Sequence, residues 1–179
     1  MNIIYFFLGI VSWTLVEYLL HRFLGHEHKG RNFFKAEHIE HHAKANYFAP
    51  AWKKAIFALL VISVMILVLS LIGSFVSAVA FVAGFTGMYV LYERTHFRYH
   101  SKVPLASPFI ELRKHHFYHH FHNPSKNHGV TTRFWDRVFG TFVKVYMVKV
   151  PKRMQMDWLL SGEEELKPEY AGHFQLSAR

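Results

Sequence analysis

Ala55–Tyr92 reads AIFALLVISVMILVLSLIGSFVSAVAFVAGFTGMYVLY, and none of its 38 residues carries a charge. One straight helix of that length, at about 1.5 Å per residue, would run to roughly 57 Å, nearly twice the hydrocarbon core of a bilayer. The stretch therefore divides into two spans, about 55–72 and 74–92, breaking near Leu71-Ile72-Gly73-Ser74. Gly84 and Gly87 are expected to let the second of them approach a neighbouring helix closely. Trp52, Lys53 and Lys54 stand where interfacial anchors belong. A third apolar run, about 3–20, has Glu17 as its one charge and is close to spanning length. It lacks a basic leader and a small-residue cleavage site, so it reads as a membrane span rather than a signal peptide.

Parity fixes what these spans deliver. The first ends near His21, the second leaves the same side at Lys54, and the third returns there near Glu93, so all 21 Lys and Arg lie on one side. The positive-inside rule makes that side cytoplasmic and places the N-terminus outside. All 15 histidines share it. Membrane topology and headgroup contact thus account for the net charge of +9, and no nucleic-acid partner is expected. The chain has no cysteine, which excludes disulfides, zinc ribbons and thiolate nucleophiles. Any bound metal must be held by imidazole and carboxylate. The expected fold is all-α: an integral-membrane helical bundle of about three spans with a histidine-rich helical cap, in one domain over 1–179. The cap covers 21–54 and 93–160, with a helix at Phe109–His122 and residues 134–160 lying against the membrane surface. The polar tail, 161–179, is expected to be loosely ordered.

Ten histidines fall into four groups: HRFLGH with His21 and His26, HIEHH with His38, His41 and His42, HFRYH with His96 and His100, and HFYHH with His116, His119 and His120. On a helix, positions i, i+3 and i+4 share a face, so each H-x-x-H-H box is expected to aim three imidazoles at one place. His96 and His100 form an i, i+4 pair. His21 and His26 would stand about 140° apart on an ideal α-helix, bracketing a site rather than sharing a face, with Gly25 able to bend the chain. Ten imidazoles exceed the needs of one ion and suit two, and neutral imidazole accepts Fe, Zn, Cu or Ni. His28, His122 and His173 read as surface or interfacial residues. His115 and His128 flank the boxes as candidate additional ligands or supporting groups. Glu17 and Glu93 sit at the apolar ends of spans, where a carboxylate is expensive. Each could accept the ring N–H of a ligand histidine or pair with Arg22, Arg94 or Arg98. Asp136 could support a ligand in the same way or cap a helix. Glu37 and Glu40 are expected to face solvent.

The order H-x-x-x-x-H, H-x-x-H-H, H-x-x-x-H, H-x-x-H-H, closed by NHGVTTRFWDRVFGT, resembles the fatty acid hydroxylase/sterol desaturase superfamily of integral-membrane di-iron oxygenases, over roughly Trp13 to Phe142. The resemblance implies a di-metal site at the cytoplasmic membrane face that activates O2 against a C–H bond of a lipid. It gives the ligand role to the ten boxed histidines. Iron is the metal implied, with zinc able to substitute in purified protein. His128 is a departure, standing where an aromatic residue is expected in N-x-G. There is no His-Pro-Gly-Gly haem signature, so electrons are expected from a separate donor, a cytochrome b-type or ferredoxin/reductase carrier. The expected reaction is hydroxylation of a fatty acyl lipid, a sterol or an isoprenoid. A carotenoid hydroxylase or a lipid desaturase would use the same metal site. From another class, a non-enzymatic membrane metal carrier would want polar ligands within its spans, whereas here the histidines gather at one end.

Overall fold

The computed structural model describes residues 2–44, 46–103, 107–162 and 165–177. Its helices are α1 (Asn2–Leu19), α2 (Phe33–Ala43), α3 (Ala51–Ile72), α4 (Phe75–Ser101), α5 (Ser107–Phe121) and the short α6 (Phe134–Val138). A π-helical segment, Leu20–Glu27, continues α1. Two strands, β1 (Val148–Pro151) and β2 (Phe174–Ser177), complete it together with three single 3-10 turns. The chain is an integral membrane protein with three helices long and apolar enough to cross a bilayer: Asn2–Glu27, Ala51–Ile72 and Phe75–Ser101. The contacts divide the chain into two units, residues 1–16 with 48–94, and residues 17–47 with 95–179.

In the first unit the uncharged stretch breaks at Gly73 and Ser74, where the Ser74 hydroxyl accepts from the Ser77 backbone N–H and so starts α4. The helices α1 and α4 interlock through glycines. A Cβ on Gly84 would lie 2.0 Å from the Phe6 carbonyl oxygen, and one on Gly9 would lie 2.0 Å from that of Phe81. Only hydrogen fits at either point, the close approach that small residues permit between membrane helices. The expectation for Gly87 fails, because a Cβ there meets nothing within 4 Å. Trp13 packs edge-on against Phe85, with ring centroids 5.2 Å apart, and tilts over Tyr89 at 4.9 Å. No part of the α3 span is buried, as suits a helix bathed in lipid. The chain turns polar near Glu93, but the helix does not end there: α4 runs on to Ser101 and carries His96 and His100.

In the second unit, β1 and β2 pair in parallel with Val148 opposite Phe174. Phe117, Trp158 and Tyr170 set their rings against Phe174, and these three, with Met156 and Leu159, are buried. This corrects two expectations. The tail is not loose over its described residues 165–177, because Tyr170 and Phe174 anchor it and β2 adds backbone hydrogen bonds, while 163–164 and 178–179 lie outside the described residues. Nor does residues 134–160 lie wholly on the surface: Val148, Val150, Met154, Met156, Trp158 and Leu159 are core, while Phe134, Val138, Phe139, Tyr146 and Met147 stay exposed. Composition showed a mixed segment but not which of its apolar residues would find partners.

Candidate metal centre

The ten boxed histidines come together in the second unit as two groups of five: His21, His26, His38, His42 and His119, and His41, His96, His100, His116 and His120. Within each group the candidate ligand atoms lie within 4.8 Å of one another, so each could hold a metal ion. The groups adjoin, since the rings of His42 and His120 stack with centroids 4.0 Å apart.

Local geometry explains the sorting. His21 and His26 do not bracket the site; they share it. The π-helix closes i to i+5 hydrogen bonds, as in His28 N–H to the Phe23 carbonyl at 2.7 Å, which brings residues five apart onto one face. An α-helix would have left them about 140° apart. Arg22 and Glu27 pair at 2.6 Å across the same wide turn. The H-x-x-H-H boxes also depart from the expectation that each aims three imidazoles at one place. In α2, His38 and His42 join one group and His41 the other; in α5, His116 and His120 join the second group and His119 the first. At about 100° per residue, i and i+4 differ by about 40° while i+3 and i+4 differ by about 100°, so a box can serve two adjacent centres. The boxes exchange their odd members. Asn32 starts α2, its side chain accepting from the Lys35 N–H at 2.7 Å.

The ring nitrogens face one another. His26 Nε2 is 2.8 Å from that of His38 and 2.9 Å from that of His119, which is 3.2 Å from His42 Nε2. In the second group His41 and His96 approach to 2.9 Å, and His100 and His116 to 3.0 Å. Three of these rings are fixed from behind. The Nδ1–H groups of His21, His41 and His119 donate to the carbonyls of His128 (2.5 Å), Tyr47 (2.7 Å) and Lys126 (2.8 Å). That tautomer leaves each Nε2 as an inward lone pair. Lone pairs packed this closely repel unless a cation lies among them. His21 Nε2 and His120 Nε2 are buried with no protein partner at all, the kind of orphaned atom an ion satisfies. Metal–nitrogen bonds of about 2.0–2.1 Å separate adjacent ligands by about 2.8–3.0 Å at right angles and by about 3.3–3.4 Å at the tetrahedral angle. The observed spacings fall mostly in the first range, so the residues fit five- or six-coordinate ions.

Electrostatics agrees. Burial, then the charges of neighbouring imidazoles, holds His38, His116, His119 and His120 well below the usual histidine range and pushes His42 down to about 2. Neutral rings are what metal ligation requires.

The flanking candidates do other work. Among the described residues Glu17 hydrogen-bonds to no histidine and pairs with no arginine: its Oε1 accepts from Val130 N–H at 2.6 Å and Thr131 N–H at 3.1 Å, and its Oε2 from the Thr131 hydroxyl. Glu93 pairs with Lys54 rather than with Arg94, Arg98 or a ligand. Asp136 neither caps a helix nor meets a ligand ring. It accepts from the N–H groups of His128 and Gly129, both at 2.8 Å, from the Thr141 hydroxyl at 2.7 Å and from His115 Nε2–H at 2.9 Å. Burial alone would raise its carboxyl, but the hydrogen bonds from His115, Thr141 and Gly129 outweigh that and hold it below the usual range. His115 is therefore turned away from both groups. The His128 ring lies beside His119, with centroids 5.1 Å apart, outside either group; burial pushes it down to about 4. Its contribution is its carbonyl. Glu37 does not simply face solvent: it accepts the Tyr47 hydroxyl at 2.5 Å, and Tyr47 in turn holds His41. His28 and His122 are exposed and His173 is half-buried, as expected.

Two carboxylates thus brace the loop 126–131, whose carbonyls orient His21 and His119. Sequence reasoning singled out this segment for the resemblance and for His128 but missed its bracing role. Its signal was the NHG triplet: Asn127 has a φ of 56°, and a Cβ on Gly129 would lie 2.0 Å from the Thr132 carbonyl oxygen and 2.9 Å from Asp136 Oδ2.

Comparison with known proteins points to one family. The sequence model of the fatty acid hydroxylase family matches residues 6–141. A dihydroceramide fatty acyl 2-hydroxylase of Arabidopsis thaliana is 31% identical over 74% of this chain and 58% of its own length. A ceramide very long chain fatty acid hydroxylase of Saccharomyces cerevisiae is 35% identical over 77% of this chain and 38% of its own. The human fatty acid 2-hydroxylase is 33% identical, with shares of 76% and 38%. A solved structure of full-length scs7p, with only the hydroxylase domain visible, superposes with a TM-score of 0.61 at 31% identity, covering 79% of this chain and 56% of that one. The chain therefore spans between about two-fifths and three-fifths of the length of these relatives.

Proposed function

This chain belongs to the fatty acid hydroxylase family, and from that premise we propose that it is an O2-dependent di-iron membrane oxygenase that hydroxylates a fatty acyl lipid. The observation that carries the proposal is the pair of five-imidazole groups, with nitrogens at right-angle spacing and side by side. Five nitrogens are one too many for a tetrahedral zinc site, which favours iron as the working metal. The relatives named above are fatty acyl and ceramide hydroxylases, which supports an acyl lipid over a sterol or an isoprenoid. Two of them are named as 2-hydroxylases, which supports attack at the carbon next to the acyl carbonyl.

His21, His26, His38, His42 and His119 would hold one ion, and His41, His96, His100, His116 and His120 the other. When bound, the pair supplies the oxidising power that turns a C–H bond, O2, two electrons and two protons into C–OH and water. The protein's own part is to position and to exclude. The carbonyls of His128, Tyr47 and Lys126 keep three ligands in one tautomer. Burial of His100, His116 and His119 keeps bulk water from the centre. Ligands on the last turns of α4 put the chemistry at the end of a membrane helix, within reach of a lipid chain. Topology follows the charge: the parity of three spans puts every Lys and Arg on the histidine side, and the positive-inside rule then makes that side cytoplasmic and the N-terminus outside. The two electrons come from a separate donor.

The test is oxygenation. Purified full-length chain, loaded with iron and supplied with a reductase system and 18O2, should place one labelled oxygen in a fatty acid or ceramide substrate. Absence of labelled product from acyl, sterol and isoprenoid substrates alike would refute the proposal. Transfer of label to a sterol alone would refute the acyl assignment.

A further inference from the structure

A second site lies apart from the histidine groups. A cavity of about 340 Å3 opens between α5 and residues 133–145, walled by Glu111, His115, Arg133, Arg137, Phe142 and Lys144. We propose that this cavity binds an anionic phosphate group, as in the headgroup of an anionic phospholipid.

Charge comes first. Arg133, Arg137 and Lys144 form no ion pair among the described residues, and the only carboxylate in the wall, Glu111, is engaged by Lys114 at 2.6 Å. Three cations thus line one concavity with no ion-pair partner among the described residues, and such a wall focuses the field on an anion. The wall is also ordered. The Arg137 guanidinium sits 4.7 Å over the Phe142 ring, and Phe142 stacks on His115 with centroids 5.8 Å apart. Stacking holds the planar guanidinium fork in place, the geometry that matches phosphate oxygens. A phosphodiester with an uncharged headgroup keeps its negative charge for these cations, whereas a choline headgroup neutralises it. The neighbouring surface is apolar, with Phe134, Val138, Phe139, Tyr146 and Met147 all exposed. Cations in a cavity beside exposed aromatic and aliphatic side chains suit a lipid headgroup at an interface.

The experiment titrates the detergent-solubilised full chain with three probes: a short-chain phosphatidylglycerol, a short-chain phosphatidylcholine and inorganic phosphate. A variant with Arg133→Gln, Arg137→Gln and Lys144→Gln is compared with a charge-matched control, Lys149→Gln, Lys152→Gln and Arg153→Gln. The expected result is one saturable site for phosphatidylglycerol, weakened at least tenfold in the cavity variant and unchanged in the control, with phosphatidylcholine much weaker. Saturable binding of inorganic phosphate, lost in the same variant, would support the site and identify free phosphate as a second source. Equal weakening by both variants would overturn the proposal in favour of diffuse surface charge. Absence of saturable binding by phosphatidylglycerol and by phosphate would also overturn it and leave the cations to an acidic protein partner. None of these readouts depends on oxygenase activity.

Discussion

Asp136→Asn probes the support of the metal centre without touching a ligand. Each carboxylate oxygen accepts two hydrogen bonds: Oδ1 from His128 N–H and the Thr141 hydroxyl, and Oδ2 from Gly129 N–H and His115 Nε2–H. In asparagine one of these oxygens becomes an NH2 group that faces donors. Thr141 can rotate its hydroxyl, and His115 can change tautomer. A backbone N–H can do neither, so whichever way the amide turns, His128 or Gly129 loses its acceptor in a fully buried site. One unsatisfied donor costs about 1–3 kcal/mol, and loss of the charge weakens the bonds that remain. The total is about 2–4 kcal/mol, concentrated on the loop whose His128 carbonyl holds His21 at 2.5 Å. Supporting residues of this kind typically change metal affinity by about 10–100-fold. Competition with a chelator on iron-loaded protein should therefore show metal leaving the variant at about 10–100-fold lower chelator concentration. Glu27→Gln, which breaks only the Arg22 pair on the surface, should leave retention unchanged. Wild-type retention in Asp136→Asn, in protein that melts normally, would refute the claim that the loop positions a ligand.

Other perturbations separate the remaining parts. His38→Ala, His96→Ala and His119→Ala should each abolish oxygenation, whereas His173→Ala should not; a fully active His119→Ala protein would contradict its place in the first group. Gly9→Val should disrupt the α1–α4 contact, where a Cβ already meets a carbonyl oxygen at 2.0 Å, and cut the yield of folded protein in membranes. Gly87→Val should leave it unchanged, and equal yields for the two would refute the close crossing. Acid should destabilise the metal-free protein. His42 and His128 are pushed down to about 2 and about 4, so below the ordinary histidine value of about 6.5 the unfolded chain binds more protons than the folded one, and stability falls as pH drops. Melting temperatures that rise between pH 6.5 and 5 would contradict this. Phe174→Ala should cost about 3–5 kcal/mol and open the tail to protease; resistance like that of the wild type would mean that β2 is not anchored there.

The parts legible in the sequence were those with a strong local signal. A 38-residue uncharged run is too long for one span and fits a hairpin of two, and its break fell at Gly73 as expected. The H-x-x-H-H boxes announced helices that present histidines, and the ten boxed residues are the ones gathered. The partition was not legible, because whether His41 joins His38 or His96 depends on where α2 and α4 lie rather than on spacing within α2. The H-x-x-x-x-H spacing contradicted an α-helical face, and only the π-helical backbone resolves the contradiction. Glu17 and Asp136 were singled out for their cost in an apolar setting, yet their partners are backbone N–H groups more than a hundred residues away in one case and within a tight loop in the other. Tyr170 and Phe174 sit in a polar tail where composition gives no hint of burial.

The most direct test is the metal content of anaerobically purified, iron-loaded protein. Two irons per chain are expected for the wild type, and one for a variant in which His21, His38 and His119 are replaced together by alanine. One iron in the wild type, or two retained in the triple variant, would contradict the assignment of one ion to each group of five imidazoles.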